Sequence, residues 1–260
     1  MFADSFTNAI VRVPGENFAE GLTSAGLGKP ELRRALEQHA AYCSALEKCG
    51  VKVFKLPADL SYPDSPFVED VAVVVPSCAI LTRPGAKSRQ GEVASMKPVL
   101  EKFFPAVHEI SEPGTLDGGD ICQAGKHFFI GISRRTNEVG GKQLADFLAA
   151  ERYTSTLVDI RDSGEILHLK SGIAHLGDKT LVVSEEMADR EEFRGYELIR
   201  VAKREAYAAN CVRVNDHVLI PAGFGGVETS LKQRGYAVLP LEVSEFQKMD
   251  GGLSCLSLRF

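Results

Sequence analysis

No apolar run in this 260-residue chain is long enough to cross a bilayer. The longest, residues 71–76 and 78–81, are short and flanked by charge. Positive charge is not in excess either. Thirty Lys and Arg stand against 35 Asp and Glu, for a formal net charge of −5, which argues against a nucleic-acid binder held by phosphate contacts. The N-terminal stretch MFADSFTNAIVRV has no basic region followed by an apolar one, so no secretory signal is read and a cytoplasmic protein is expected. Cysteine is sparse: six residues and no CxxC pair give little support to a disulfide scaffold, a zinc site or a thioredoxin-type motif. What remains, 44% hydrophobic and 25% charged residues, is the balance of an ordinary globular protein, which excludes disordered and fibrous classes.

Repetition is the first positive signal. Four segments share a small or acidic start, a short apolar strand, a tight turn, a second apolar strand and then a helix-like stretch. They read FVEDVAVVVPSCAILTRPGAKSRQ, DGGDICQAGKHFFIGISRRTNEVG, HLKSGIAHLGDKTLVVSEEM and AANCVRVNDHVLIPAGFGGVE. Aligned on Asp70, Asp120, Ser171 and Asn210 they step by 50, 51 and 39 residues, and a fifth copy is split between GGLSCLSLRF at the end and FTNAIVRV at the start. A unit of this size buries its apolar face only against its neighbours. We therefore expect a five-bladed α/β propeller of ββαβ-like repeats with pseudo-fivefold symmetry, the alternative being a two-layer α/β sandwich. Helices are expected from Pro30 to about Gly50 (apolar stripe Leu32, Leu36, Cys43, Leu46), over 88–104 and over 137–150. Nothing divides the chain, so residues 1–260 are taken as a single catalytic domain. Segment 14–30, PGENFAEGLTSAGLGKP, is glycine-rich and aperiodic, as an active-site lid would be.

In a radial array the strand starts converge near the axis, so odd residues there can meet. They are Asp64, Glu69 and Asp70, then Asp117 and Asp120, then His168, then Cys255. Cys255 follows Gly251 and Gly252, which let the backbone approach a ligand closely; a structural thiol is the plain alternative, and Cys211 occupies the matching place in its own repeat. His168, between apolar residues, is either a core histidine or the imidazole that a nucleophilic thiol needs. Asp117 in TLDGGD is the best candidate to orient that ring, with Asp120 as the alternative. Carboxylates at 64, 69 and 70 would repel one another on a dry site unless a cation joined them, and a guanidinium suits them. Arg89 and Arg135, at matching positions of consecutive units, could bind a carboxylate as a pair. A ligand with a guanidinium at one end and a carboxylate at the other is arginine-like.

FVEDVAVV, AILTRPGAKSR, TLDGGD, LHLKS, AANC and DGGLSC, in this order from about residue 8 to the C-terminus, resemble the dimethylarginine dimethylaminohydrolases, guanidino-group modifying enzymes with a five-bladed propeller. The resemblance implies that Cys255 is the nucleophile, His168 the general acid and base, and Asp117 its orienting partner. It implies that Asp64, Glu69 and Asp70 bind the guanidinium and that Arg89 and Arg135 hold the amino-acid carboxylate. Leu22 would belong to the lid, and the backbone near Met249 would contact the amino-acid end. Gly252 and Met249 depart from the bulkier and valine-like residues of the family, which touches the pocket wall rather than the chemistry. The expected substrate is a small molecule, Nω,Nω-dimethyl-L-arginine or its monomethyl analogue. No metal or organic cofactor, nucleic acid or membrane is expected, and the chain would act as a monomer or homodimer. The alternatives are an arginine or agmatine deiminase or an amidinotransferase on the same scaffold, or a non-catalytic propeller.

Overall fold

The computed structural model describes residues 5–164 and 166–260; the first four residues of the N-terminal stretch considered above lie outside them. Fifteen strands form five three-stranded sheets among these residues. They are β1 (Asn8–Arg12), β2 (Lys52–Leu56), β3 (Ala72–Val75), β4 (Cys78–Leu81), β5 (Val107–Glu109), β6 (Ile121–Ala124), β7 (His127–Ile132) and β8 (Thr154–Asp159). Beyond them come β9 (Ile173–His175), β10 (Thr180–Ser184), β11 (Glu197–Val201), β12 (Val212–Val214), β13 (His217–Pro221), β14 (Ala237–Leu241) and β15 (Leu258–Arg259).

Every sheet repeats one plan. An inner strand pairs antiparallel with a middle strand, which pairs parallel with an outer one, as in β3-β4-β5, β6-β7-β8, β9-β10-β11 and β12-β13-β14. The last sheet, β15-β1-β2, joins the chain's two ends: Ala9 faces Arg259 and Ile10 faces Leu258, so the split fifth unit closes the ring. The molecule is a five-bladed α/β propeller.

Antiparallel neighbours need only a tight turn, whereas a parallel return needs a crossover. Helices α1 (Leu32–Lys48), α2 (Glu92–Leu100) and α3 (Glu138–Ala150) make that crossover in three blades. A four-residue turn of helix, α4 (Leu169–Gly172), precedes β9; α5 (Gly225–Gln233) crosses the fourth blade, and α6 (Ser244–Gln247) precedes the closing segment. The third blade departs from the expected plan. Two 3-10 turns, Glu185–Met187 and Glu191–Phe193, replace its helix, which accounts for the short 39-residue step. The stripe of α1 is also corrected: Leu36 is exposed, and the buried face runs through Ala35, Gln38, His39, Tyr42, Cys43 and Leu46. Helix α2 is shorter than expected, but α3 starts where Asn137 accepts a hydrogen bond from the Gly140 N–H at 2.8 Å.

Apolar packing lies between blades. Cys122 and Phe129 of the second pack against Ile173, Leu181 and Val183 of the third, and Ile10 and Leu258 of the fifth against Ala79 and Leu81 of the first. No blade could bury these faces alone. On the axis, β3, β6, β9, β12 and β15 line a channel of about 650 Å³. At one end of it the segments leading into the inner strands converge, four of them ending in short turns: Val68–Val71, Gly118–Asp120, α4 and Ser254–Leu256. No helix among the described residues is long and apolar enough to cross a membrane.

Candidate active site

Because each blade enters its inner strand at the axis, residues remote in sequence meet there. One small cavity is lined by Leu22, Asp64, Phe67, Asp70, Arg89, Arg135, Leu167, His168, Met249, Asp250, Gly251 and Cys255. Eight of the ten residues singled out from the sequence reach it. Asp117 stands directly behind it, and Glu69 faces the channel on the other side.

Asp117 is fully buried. Its Oδ1 accepts the Gly85 N–H at 2.8 Å, and its Oδ2 lies 3.1 Å from His168 Nε2. Asp120, the other candidate, instead accepts the hydroxyls of Ser133 and Thr136 and the Leu169 N–H, and has no hydrogen bond to the ring. Burial alone would lower the His168 pKa, but the charge of Asp70, the bond to Asp117 and the nearby Asp120 outweigh it and hold it at about 9. The ring is therefore an imidazolium at neutral pH, with Nε2 committed to Asp117 and Nδ1 on the other side of the ring.

Cys255 is the one partly exposed cysteine; the other five, Cys211 included, are buried. Its Sγ lies 3.5 Å from the Gly252 N–H. Burial, reinforced by the negative charges of Glu69 and Asp70, pushes the thiol up to about 12, so the free site holds a thiol rather than a thiolate. Of the two preceding glycines, Gly251 lines the cavity, and neither has space for a side chain. A side chain on Gly251 would run into the Phe67 ring and one on Gly252 into the Asn210 amide, so they make room for protein neighbours.

The acids and arginines are arranged differently from a simple three-plus-two set. Arg89 is buried and donates through Nη1 to Asp70 at 2.6 Å and through Nε and Nη2 to Glu92 at 2.9 Å each; Nη2 also approaches the Asp64 and Phe67 carbonyls. Glu92, at the start of α2, was missed from the sequence, although its spacing three residues after Arg89 was visible. Asp70 accepts the Gly119 N–H at 2.8 Å as well. Burial would raise its carboxyl, but Arg89 and His168 outweigh that and bring it down to about 2, so it stays charged. Arg135 is anchored by its backbone N–H on Ser133 Oγ, and its guanidinium has no ion-pair partner among the described residues.

Segment 14–30 reaches this cavity through Leu22. Phe18 roots it against Phe67 and Phe246, the Leu22 N–H donates to both oxygens of Asp64 at 3.1 Å, and Ser24 donates to Asp250. Burial raises the Asp64 carboxyl, with Arg89 and the Leu22 N–H acting against it. The free space left in the cavity is about 30 Å³, room for a water molecule. Three donor atoms of Asp70, Asp117 and His168 come within 4.8 Å of one another, close enough for a metal ion. Their bonds to Arg89, Gly119, Gly85 and each other already occupy them as a hydrogen-bonded array, a poor fit to a cation.

The arginine deiminase family model matches residues 61–219. N(G),N(G)-dimethylarginine dimethylaminohydrolase of Pseudomonas aeruginosa is 42% identical over 256 residues, covering 98% of this chain and all of that one. The chain belongs to the dimethylarginine dimethylaminohydrolase family. Another relative of that name, from Streptomyces coelicolor, is 34% identical over 96% of both chains. Among solved structures, a cysteine-to-serine variant of the Pseudomonas aeruginosa dimethylarginine dimethylaminohydrolase in complex with citrulline matches with a TM-score of 0.96 at 41% identity, over 99% of this chain and 100% of that one. A histidine-to-glycine dimethylarginine dimethylaminohydrolase carrying an S-methyl-L-thiocitrulline adduct matches with a TM-score of 0.95 at 41% identity, over 98% and 100%.

Proposed function

We propose that the chain hydrolyses Nω,Nω-dimethyl-L-arginine, and Nω-monomethyl-L-arginine, to L-citrulline and dimethylamine or methylamine. The observation that carries this is the single cavity in which Cys255 and His168 share walls with Asp64 and Asp70 at the acidic end and with Arg135, which has no ion-pair partner among the described residues. A molecule that is cationic and planar at one end and a carboxylate at the other fits that distribution of charge.

The resting pair is a thiol and an imidazolium. A guanidinium bound beside Asp70 offsets the acidic charge that suppresses ionisation of Cys255, so substrate itself promotes loss of the thiol proton to solvent. The thiolate adds to the guanidinium carbon, giving a neutral tetrahedral adduct. His168 delivers its proton to the methylated nitrogen, the C–N bond breaks, and dimethylamine leaves a cationic S-alkylthiouronium on Cys255. The now neutral His168 takes a proton from water as its oxygen adds to that carbon. The C–S bond then breaks, and the proton left on the new oxygen returns to sulfur as citrulline forms. Asp117 holds Nε2 throughout, so the exchange runs at Nδ1.

Arg135 is assigned the substrate carboxylate. Arg89 has spent most of its donors on Asp70 and Glu92, which leaves the second hydrogen of Nη1 able to assist. The dimethylated nitrogen carries no N–H and belongs away from the acids; unmethylated arginine would leave N–H groups unpaired, at a cost of roughly 1–3 kcal/mol. Residues 1–260 act as one catalytic unit with 14–30 as its lid, Leu22 at the tip and Met249 on the facing wall. The test is a product panel. Citrulline with dimethylamine from dimethylarginine, and little ammonia from arginine, supports the assignment; ammonia from arginine as the main product makes the chain a deiminase instead.

A further inference from the structure

Two pairs of adjacent residues are split between the two cavities. Asp70 and Cys255 face the small one, while Glu69 and Ser254, their immediate neighbours, line the 650 Å³ channel behind it. Glu69 Oε2 accepts the Ser254 hydroxyl at 2.7 Å, and Oε1 accepts Lys170 Nζ at 2.6 Å and Arg259 Nη2 at 3.1 Å. Three of a carboxylate's roughly four lone-pair directions are thereby filled by protein. Asn210 completes a ring: its Nδ2 donates to Ser254 Oγ at 3.0 Å and to the Lys170 carbonyl at 2.9 Å, and its Oδ1 accepts the Ser254 N–H at 3.0 Å. The frame ties four blades together under the turn that carries the sulfur. It uses the lysine of LHLKS and the asparagine of AANC, which the proposed chemistry leaves without a task.

We propose that Glu69 is a positioning residue for Cys255, acting from the channel side through Ser254 and held there by Lys170 and Arg259, and that it is not a ligand of the substrate guanidinium. This rests on the function proposed above and corrects the role that the resemblance implied for position 69. The frame does two things. It fixes the peptide before Cys255 at both its N–H and its side chain, and it places a compensated negative charge behind the sulfur. Preorganised geometry of this kind matters because small misplacement of a nucleophile is costly in rate. The other charged or titratable groups around Cys255 are Asp70 before β3, His168 and Lys170 at α4, Tyr207 from the fourth blade, Arg259 on β15, and Asp64, Arg89, Arg135 and Asp250 in the cavity.

The test reads thiol alkylation against pH without substrate in Glu69→Gln and Lys170→Met. At a given pH, removing the acid should speed alkylation by about tenfold, and removing the base should slow it by a similar factor. In the Cys255→Ser background, Glu69→Gln should change dimethylarginine affinity by less than about threefold, whereas loss of a guanidinium ligand would weaken it by about tenfold or more. Ser254→Ala keeps every charge and removes only a hydroxyl, so it serves if Glu69→Gln does not fold. It should lower kcat about ten- to hundredfold with KM nearly unchanged, with partial rescue by Ser254→Thr. Coincident alkylation curves, a tenfold loss of affinity on Glu69→Gln, or a Ser254→Ala enzyme with undiminished kcat overturns the inference. The alkylation curves need no turnover, so an inactive wild-type protein would defeat the functional reading without deciding this one.

Discussion

Asp117→Asn is the substitution that separates an orienting acid from a merely buried one. The amide keeps the size of the side chain, and its oxygen can still accept the Gly85 N–H that Oδ1 accepts at 2.8 Å. On the other side the change is drastic. Where Oδ2 now takes the Nε2 proton at 3.1 Å, the variant presents an NH₂ group, which requires Nε2 to be an acceptor. The ring's neutral form then carries its proton on Nδ1, and the loss of the Asp117 bond and charge, with Asp70 and Asp120 still in place, lowers its pKa from about 9 and disfavours the imidazolium. Loss of a correctly protonated general acid is worth about 10²–10⁴ in rate, or about 3–5 kcal/mol on the barrier. The assay is steady-state citrulline release from dimethylarginine, with substrate affinity measured separately by titration. The expected result is kcat down by about that factor, affinity almost unchanged, and a folded protein. An Asp117→Asn enzyme that keeps kcat to within about threefold would refute the assigned role and the direction of proton flow built on it.

Arg135→Met should raise KM for dimethylarginine by roughly ten- to hundredfold with a smaller effect on kcat, since it removes a charged contact worth about 1.5–3 kcal/mol to a part of the substrate that does not react; an unchanged KM contradicts the assignment. Gly21→Ala puts a Cβ against Asp64 Oδ1, where there is no space, and should hold the 14–30 segment open. Its signature is faster proteolysis within that segment and a raised KM; wild-type values for both contradict the lid. For stability, the pKa of His168 is raised on folding from 6.5 to about 9, so its contribution is complete below about pH 6.5 and lost as pH rises through about 9. The unfolding free energy of the wild type, from urea titrations, should fall across that window by up to about 3 kcal/mol more than that of His168→Gln, and parallel curves would contradict the ion pair.

The architecture was legible because repetition survives in one dimension. Asp70, Asp120, Ser171 and Asn210, aligned on pattern alone, fall one or two residues before β3, β6, β9 and β12, and the split fifth unit pairs as β15 with β1. Cys255, His168, Asp117, Asp64, Asp70 and Arg135 come together for the same reason: equivalent positions of a ring meet at its axis. What escaped is what partners decide. Arg89 looked like a free cation because Glu92 three residues on resembles any helix-surface acid, and only the fold shows both side chains turned inward. Glu69 looked like a twin of Asp70, yet the two face different cavities from the short Val68–Val71 turn, and the partners of Glu69, Lys170, Ser254 and Arg259, are 101 to 190 residues away. Leu36 was lost to the solvent face of α1 because Tyr42, Gln38 and His39 supplied the buried stripe instead. The third blade's helix could not be denied on pattern, since two 3-10 turns span the same gap.

The central claim is that one sulfur carries the substrate's carbon between two half-reactions. Rapid acid quenching of enzyme mixed with dimethylarginine, followed by peptide mass analysis, reads this directly. The account predicts a mass gain equal to the substrate less dimethylamine, on the peptide bearing Cys255 and on none of the other five cysteines, rising as dimethylamine appears and decaying as citrulline does. Citrulline formation with Cys255 unmodified at every quench time, and undiminished by Cys255→Ser, would contradict it.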